Sequence, residues 1–342
     1  MKRWLSSLPV IFIFLVTCVS EVNAGITANT LAVIVNKSDP LSVRITEYYK
    51  RVRNIPEINI IEIELDKSKT AISPEVFRKI KQDVDNSIPQ TVQGILLTWV
   101  QPYRVGCMSI TSAFAFGFDR AFCSKQCGKT KMSVYYNSNT RFPYNDYKIR
   151  PTFSLAALNF KKAKKLIDRG KLSDSSFPSG TGYLVSTSDR ERNVRSSGYK
   201  RIVRTFSRLP QLNVVYSDYL ENKTDILFYF TGLKDVPKIE TNKFVPGAIA
   251  DHLTSTGGQL TDSRQMSILR WLQLGATGSY GTVKEPCNYR QKFPDPAIVI
   301  KRYTSGETLM EAYWKSVAWP GEGIFIGEPL ASPFRPLNQE TD

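Results

Sequence analysis

Histidine is almost absent: one stands among 342 residues, at position 252. Chemistry that needs an imidazole is therefore confined to His252, and histidine-rich metal sites are excluded. Acidic residues are outnumbered, 31 Asp and Glu against 46 Lys and Arg, for a net charge of +15. After residue 24 no run is apolar enough to cross a bilayer as a helix, so no transmembrane segment is expected in the mature chain. Internal repeats and low-complexity tracts are missing too, which argues against solenoid and disordered classes.

The first 24 residues are where apolar character concentrates. Lys2 and Arg3 form a short positive region, Leu8 to Val19 an apolar stretch, and Val22-Asn23-Ala24 a small-residue cleavage site. This pattern predicts a secretory signal cut before Gly25, with an uncleaved anchor as the alternative. The expected location is periplasmic or extracellular. The rest is long enough for one large domain or two lobes, here residues 25–180 and 181–335, followed by a loose tail at 336–342.

An excess of positive charge suits anionic partners such as lipid headgroups, an anionic envelope polymer or nucleic acid, and a protein is a further expected partner. The basic residues are scattered, as Lys161-Lys162, Lys164-Lys165, Arg190 to Arg195 and Lys200-Arg201. No interleaved aromatic stripe accompanies them, so nucleic acid is not an expected partner. A solvated basic surface accounts for them. Four cysteines follow the leader: Cys107, Cys123, Cys127 and Cys287. An even number in an exported chain predicts two disulfides, with Cys107–Cys287 and Cys123–Cys127 the favoured pairing of three. A metal shared by Cys123 and Cys127 lacks further ligands nearby, and neither metal nor cofactor is expected.

Apolar patterning alternates between two periods. Leu31 to Val35 is a continuous apolar run, as a buried parallel strand requires. Leu41, Ile45, Tyr48, Tyr49 and Val52 follow at helical spacing. Strands are expected at Ile58 to Leu65 and Gly94 to Val100, and a helix opened by Ser73 and Pro74 between them. Residues 101 to about 180 form an elaboration stapled by disulfide, with a helix around Leu155 to Ile167. The rhythm resumes with strands at Tyr183 to Ser186, Asn213 to Tyr216, Ile226 to Thr231, Ala248 to Thr254 and Ala276 to Val283. A basic helix with Ile202, Val203, Phe206 and Leu209 inward belongs to this part. A helix carrying Met266, Leu269 and Leu272, another over Glu307 to Val317, and a strand at Gly323 to Gly327 complete it. Together these predict an α/β protein with a doubly wound, mostly parallel sheet.

Ligands of such sheets gather at the carboxyl ends of strands. Four expected ends are rich in small or polar residues: Thr231 to Asp235 with Lys234, Thr254 to Gly258 with Gly257, Gly281 to Glu285, and Gly327 to Pro329 with Glu328. Gly232, Lys234, Gly257, Gly258, Glu285 and Glu328 are therefore candidate ligand-binding residues. Asp251, His252 and Ser255 offer an acid, a base and a nucleophile in sequence, but side chains alternate along a strand, so 252 and 255 should diverge. Ser255 with Lys234 or Lys284 is a second arrangement, which needs a partly desolvated lysine.

The run from Gly275 to Cys287 (GATGSYGTVKEPC), with Glu311 to Ser316 (EAYWKS) and Gly327 to Leu330 (GEPL), resembles a family of exported bacterial proteins that has no assigned activity. That resemblance extends over the mature chain, including Asn36 and Trp99 to Cys107. More remotely, the C-terminal half resembles the gingipain-type cysteine peptidases, which implies a caspase-like α/β fold. Matching positions are Tyr229 to Leu233 (YFTGL), Leu253 to Gly258 (LTSTGG) and Gly275-Ala276. At the place the family gives its catalytic His stands Leu233, and at the place of its nucleophilic Cys stands Ser255. Leucine cannot accept a proton, and serine needs a base more than cysteine does. The expectation is a catalytically degenerate scaffold acting in binding, with an exported hydrolase centred on Ser255 as the alternative.

Overall fold

A computed structural model describes residues 25–206, 211–285 and 287–336. The expected leader, the position Leu209 and residues 337–342 of the expected tail lie outside the described residues. Among the described residues, thirteen strands and nine α-helices follow in chain order: β1 Leu31–Asn36, α1 Pro40–Arg53, β2 Ile60–Ile63, β3 Ala71–Ile72, α2 Pro74–Ser87, β4 Gly94–Leu97, β5 Arg104–Val105, β6 Met108–Ser109, α3 Ile110–Phe116, α4 Pro143–Tyr147, β7 Thr152–Ser154, α5 Phe160–Ser173, β8 Thr181–Ser186, α6 Tyr199–Thr205, β9 Leu212–Tyr216, β10 Ile226–Thr231, β11 Phe244–His252, α7 Leu269–Leu274, β12 Gly278–Thr282, α8 Pro296–Thr304, α9 Leu309–Ser316 and β13 Gly323–Gly327.

Ten strands form one sheet in the order β2-β1-β4-β7-β13-β12-β11-β10-β8-β9, while β3, β5 and β6 form a small second sheet. Every residue of β1, β4 and β10 is buried, so both faces of the large sheet are covered. All neighbouring pairs in it are parallel except one: β12 and β13 run antiparallel, with Gly278 opposite Gly327 and Thr282 opposite Gly323. The sheet is thus two five-stranded parallel halves of opposite direction, joined at that pair. Strand carboxyl ends of the two halves therefore face opposite edges.

Caps place several helix starts. Asp39 Oδ1 accepts the Leu41 N–H and precedes Pro40 at the first helical position. Ser73 Oγ accepts from Val76 N, and Thr308 with Glu311 forms a reciprocal capping box. Of the expected face of α2, Phe77 and Val84 are buried, whereas Val76 is half exposed.

Several expectations need correction. The helix expected at Leu155 to Ile167 is α5, starting only after the Asn159 cap, whose Oδ1 accepts from Lys162 N. Residues just before it are strand β7 of the main sheet and the turn that follows, so the elaboration is interrupted by a core strand. Only three residues of β7 are paired, too few to show a period. Helix α8 was not foreseen, although Asp295 caps it through Ala297 N and Pro296 opens it.

The favoured disulfide pairing is also overturned: Cys107 bonds Cys123, and Cys127 bonds Cys287. Cys107 lies in the tight turn between β5 and β6, against which the 119–123 turn packs through Asp119 N–H and Met108 Sδ at 3.3 Å. That contact brings Cys123 to Cys107 and leaves Cys127 for the loop after β12, where Tyr289 donates its hydroxyl to Cys127 O at 2.7 Å.

Candidate functional site

The carboxyl ends of β10, β11 and β12 adjoin, because Thr231 pairs with His252 and Ile249 with Gly278. Strand β11 stops at His252, and Ser255 lies in the turn beyond it. The Ser255 hydroxyl is half buried, and its hydrogen-bond partner among the described residues is Asn288 Oδ1 at 3.4 Å. An amide oxygen accepts a proton in a hydrogen bond but is far too weak a base to remove one.

His252 is fully buried, and both ring nitrogens are committed elsewhere. Trp271 donates its indole N–H to Nδ1 at 2.9 Å, which fixes the hydrogen on Nε2; that N–H donates to Met266 O at 3.0 Å. Burial, aided by the Arg195 charge, lowers the imidazole pKa to about 3 against the pull of the Met266 bond. The ring has neither a free lone pair nor a readily gained proton with which to serve Ser255.

Asp251 points to the other face of β11, as strand alternation demands. It is buried beside Arg195, whose Nη1 approaches Oδ1 to 2.7 Å. Burial raises the carboxyl to about pH 6, the guanidinium offsetting only part of that cost. Arg195 also donates to Thr231 O at 2.6 Å and Pro294 O at 3.3 Å, tying β10 to the approach of α8. Asp251, His252 and Ser255 are thus three separate contacts, not an assembled triad.

The glycines of this edge serve close packing. A Cβ on Gly232 would meet Arg192 O at 2.0 Å, and one on Gly258 would meet Gly281 O at 2.7 Å. Gly258 donates its N–H to Thr282 O, and Gly257 O accepts from Ile268 N, so the 255–258 turn is stitched to β12 and α7. Lys234 and Lys284 are exposed, and neither is bonded to Ser255. Glu285 is buried and turns the chain after β12, accepting from Cys287 N at 2.7 Å and Asn288 N at 2.5 Å. Behind it Lys292 Nζ lies 3.5 Å from Glu285 and 2.7 Å from Glu322, and also donates to Ser124 Oγ. These contacts tie the Ser124 loop to the chain after β12.

Glu328 does not join this group, a correction to the expected cluster of four strand ends. Because β13 runs opposite to β12, it ends at the far edge, where Glu328 N–H donates to Thr277 O ahead of β12. There Glu328 accepts from Tyr49 at 2.7 Å and pairs with Arg53 at 2.5 Å, and Arg53 also pairs with Asp174. Three site-shaping residues went unforeseen: Arg195, Lys292 and Trp271. Arg195 belongs to the run of basic residues that reads as solvated surface in sequence, and Arg190 in that run is exposed. A charge is visible in sequence, but its distant carboxylate partner is not.

No family model matches the chain, and no curated protein matches it. Among solved structures it is similar to a protease, at 10% identity over 91% of this chain and 80% of that chain, with a TM-score of 0.48. It is also similar to the Arg-specific cysteine proteinase gingipain R, at 10% identity over 89% and 78% of the two chains, with a TM-score of 0.47. A third is the complex of RgpB pro- and mature domains from Porphyromonas gingivalis, at 9% identity, 89% and 79% coverage and a TM-score of 0.37. Among the described residues no helix is long and apolar enough to cross a membrane, and no group of three or more potential metal ligands occurs.

Proposed function

We propose that this chain is an exported, non-hydrolytic binding protein that uses the loops at the β8–β12 edge of its sheet. The observation that carries this reading is the commitment of both His252 nitrogens to Trp271 and Met266, which leaves Ser255 with an amide as its partner. A serine nucleophile without a base of suitable pKa and reach has no route to activation. Export is supported by the two disulfides, which persist in oxidising compartments. Its positive charge suits an anionic envelope polymer or an acidic protein as partner.

The test is a peptide-library turnover screen, with a serine-directed fluorophosphonate probe on the same sample. No turnover and no label on Ser255 are expected. Hydrolysis that disappears in Ser255→Ala would overturn the proposal and install the hydrolase reading.

A further inference from the structure

Beside the same sheet edge lies a cavity of about 270 Å3, bounded by the start of α6, the approach to α8 and the end of α9. That space equals roughly nine waters' share of liquid volume, enough for a ligand of about ten non-hydrogen atoms. Three arginines line it: Arg195, Arg201 and Arg290. Arg195 is buried, balanced by Asp251, and its Nε has no hydrogen-bond partner. Arg201 and Arg290 are exposed, and among the described residues neither is in an ion pair. Among the described residues, the Arg290 side chain donates to the Ser197 hydroxyl, at 3.5 Å.

One carboxylate, Asp295, also lines the space, but its Oδ1 is engaged as the α8 cap by Ala297 N at 2.9 Å. Among the described residues, two guanidiniums outside ion pairs therefore share the space with one carboxylate, which leaves the lining net positive. The remaining wall is mixed, with Ile202, Pro294 and Pro296 beside Tyr136, Gln291 and Ser316. Planar guanidiniums hold oxyanions through paired, charge-assisted hydrogen bonds, while an apolar wall holds a flat organic body.

We infer that this cavity binds a small organic oxyanion, a phosphate or carboxylate head gripped by Arg201 and Arg290 on a small organic body lying against the apolar part of that wall. The inference gives the binding reading a ligand class, yet it is carried by a cavity separate from Ser255. Calorimetric binding is scored whether or not any turnover is found, so the two readings fail independently.

The experiment is isothermal titration calorimetry of the mature chain with phenyl phosphate and benzoate, with benzylamine as the cationic control, at low and high salt. Saturable binding of the two anions, weakened by salt, is expected, with no binding of benzylamine. Arg201→Gln with Arg290→Gln should weaken phenyl phosphate binding roughly tenfold or more, two charged hydrogen-bonding groups being removed. Both substitutions are at exposed positions, and an unchanged melting temperature confirms folding. Ser255→Ala should bind as the unaltered chain does. Failure of both anions to bind, equal binding of benzylamine, or full affinity in the double variant would overturn the inference.

Discussion

Trp271 donates its indole N–H to His252 Nδ1 at 2.9 Å, joining helix α7 to the last residue of β11. This one bond decides the tautomer of the only histidine in the chain and removes its lone pair from solvent and from Ser255. Tyr229 packs edge-on against the same indole, with ring centroids 4.9 Å apart. A polar contact is thereby enclosed in an apolar layer, where leaving one partner unsatisfied is costly.

Trp271→Phe should destabilise the fold by about 1–3 kcal/mol from the orphaned Nδ1 acceptor, with a further loss from the unfilled volume. Chemical denaturation measures this. A variant as stable as the parent would show that the indole bond contributes nothing.

The imidazole should stay neutral across the physiological range. Its pKa is lowered from 6.5 to about 3 in the folded chain, so the unfolded state takes up the proton first. The stabilisation is complete above pH 6.5 and is lost as the pH falls toward 3. Asp251 acts with opposite sign: its pKa is raised from 3.8 to about 6, so its contribution is present below 3.8 and fades as the pH rises to 6. Because the two windows overlap, bulk stability mixes them, and NMR separates them. With one histidine in the chain, its ring resonance should not move between about pH 5 and 8, whereas a midpoint near 6.5 would contradict the burial.

Glu328→Ala should cost about 3–5 kcal/mol, because it strands the buried Arg53 with Asp174 as its remaining partner. Replacing both ends of the pair, Arg53→Met with Glu328→Leu, should recover part of that loss. Urea unfolding curves of the two variants provide the comparison, and a double variant less stable than Glu328→Ala would refute the account.

Peptide mapping of the unreduced protein should return Cys107 linked to Cys123 and Cys127 linked to Cys287. Cys127→Ser with Cys287→Ser opens a closure of 160 residues and should cost roughly 4–5 kcal/mol on loop entropy. Recovery of Cys123 linked to Cys127 would contradict the fold of the 119–128 turn.

Local chemistry makes much of this molecule legible in its sequence. The apolar run at Leu31, the Ser73-Pro74 start of α2 and the strand at Gly323 to Gly327 depend on neighbours within a few residues, and so appear in sequence. The alternation that separates Asp251 from His252 is equally local. Strand direction within the sheet is not: whether β13 enters beside β12 from one edge or the other depends on the path of α8 and α9, and nothing in GIFIG encodes it. That path sends Glu328 to the edge opposite Ser255, and it also leaves Cys287 facing Cys127. What the sequence determined was the elements with strong local signals, β7 and α8 not among them, and the charges they carry. Tertiary structure alone decided which charges meet, because the partners of Glu328, Asp251 and His252 are brought to them only by packing.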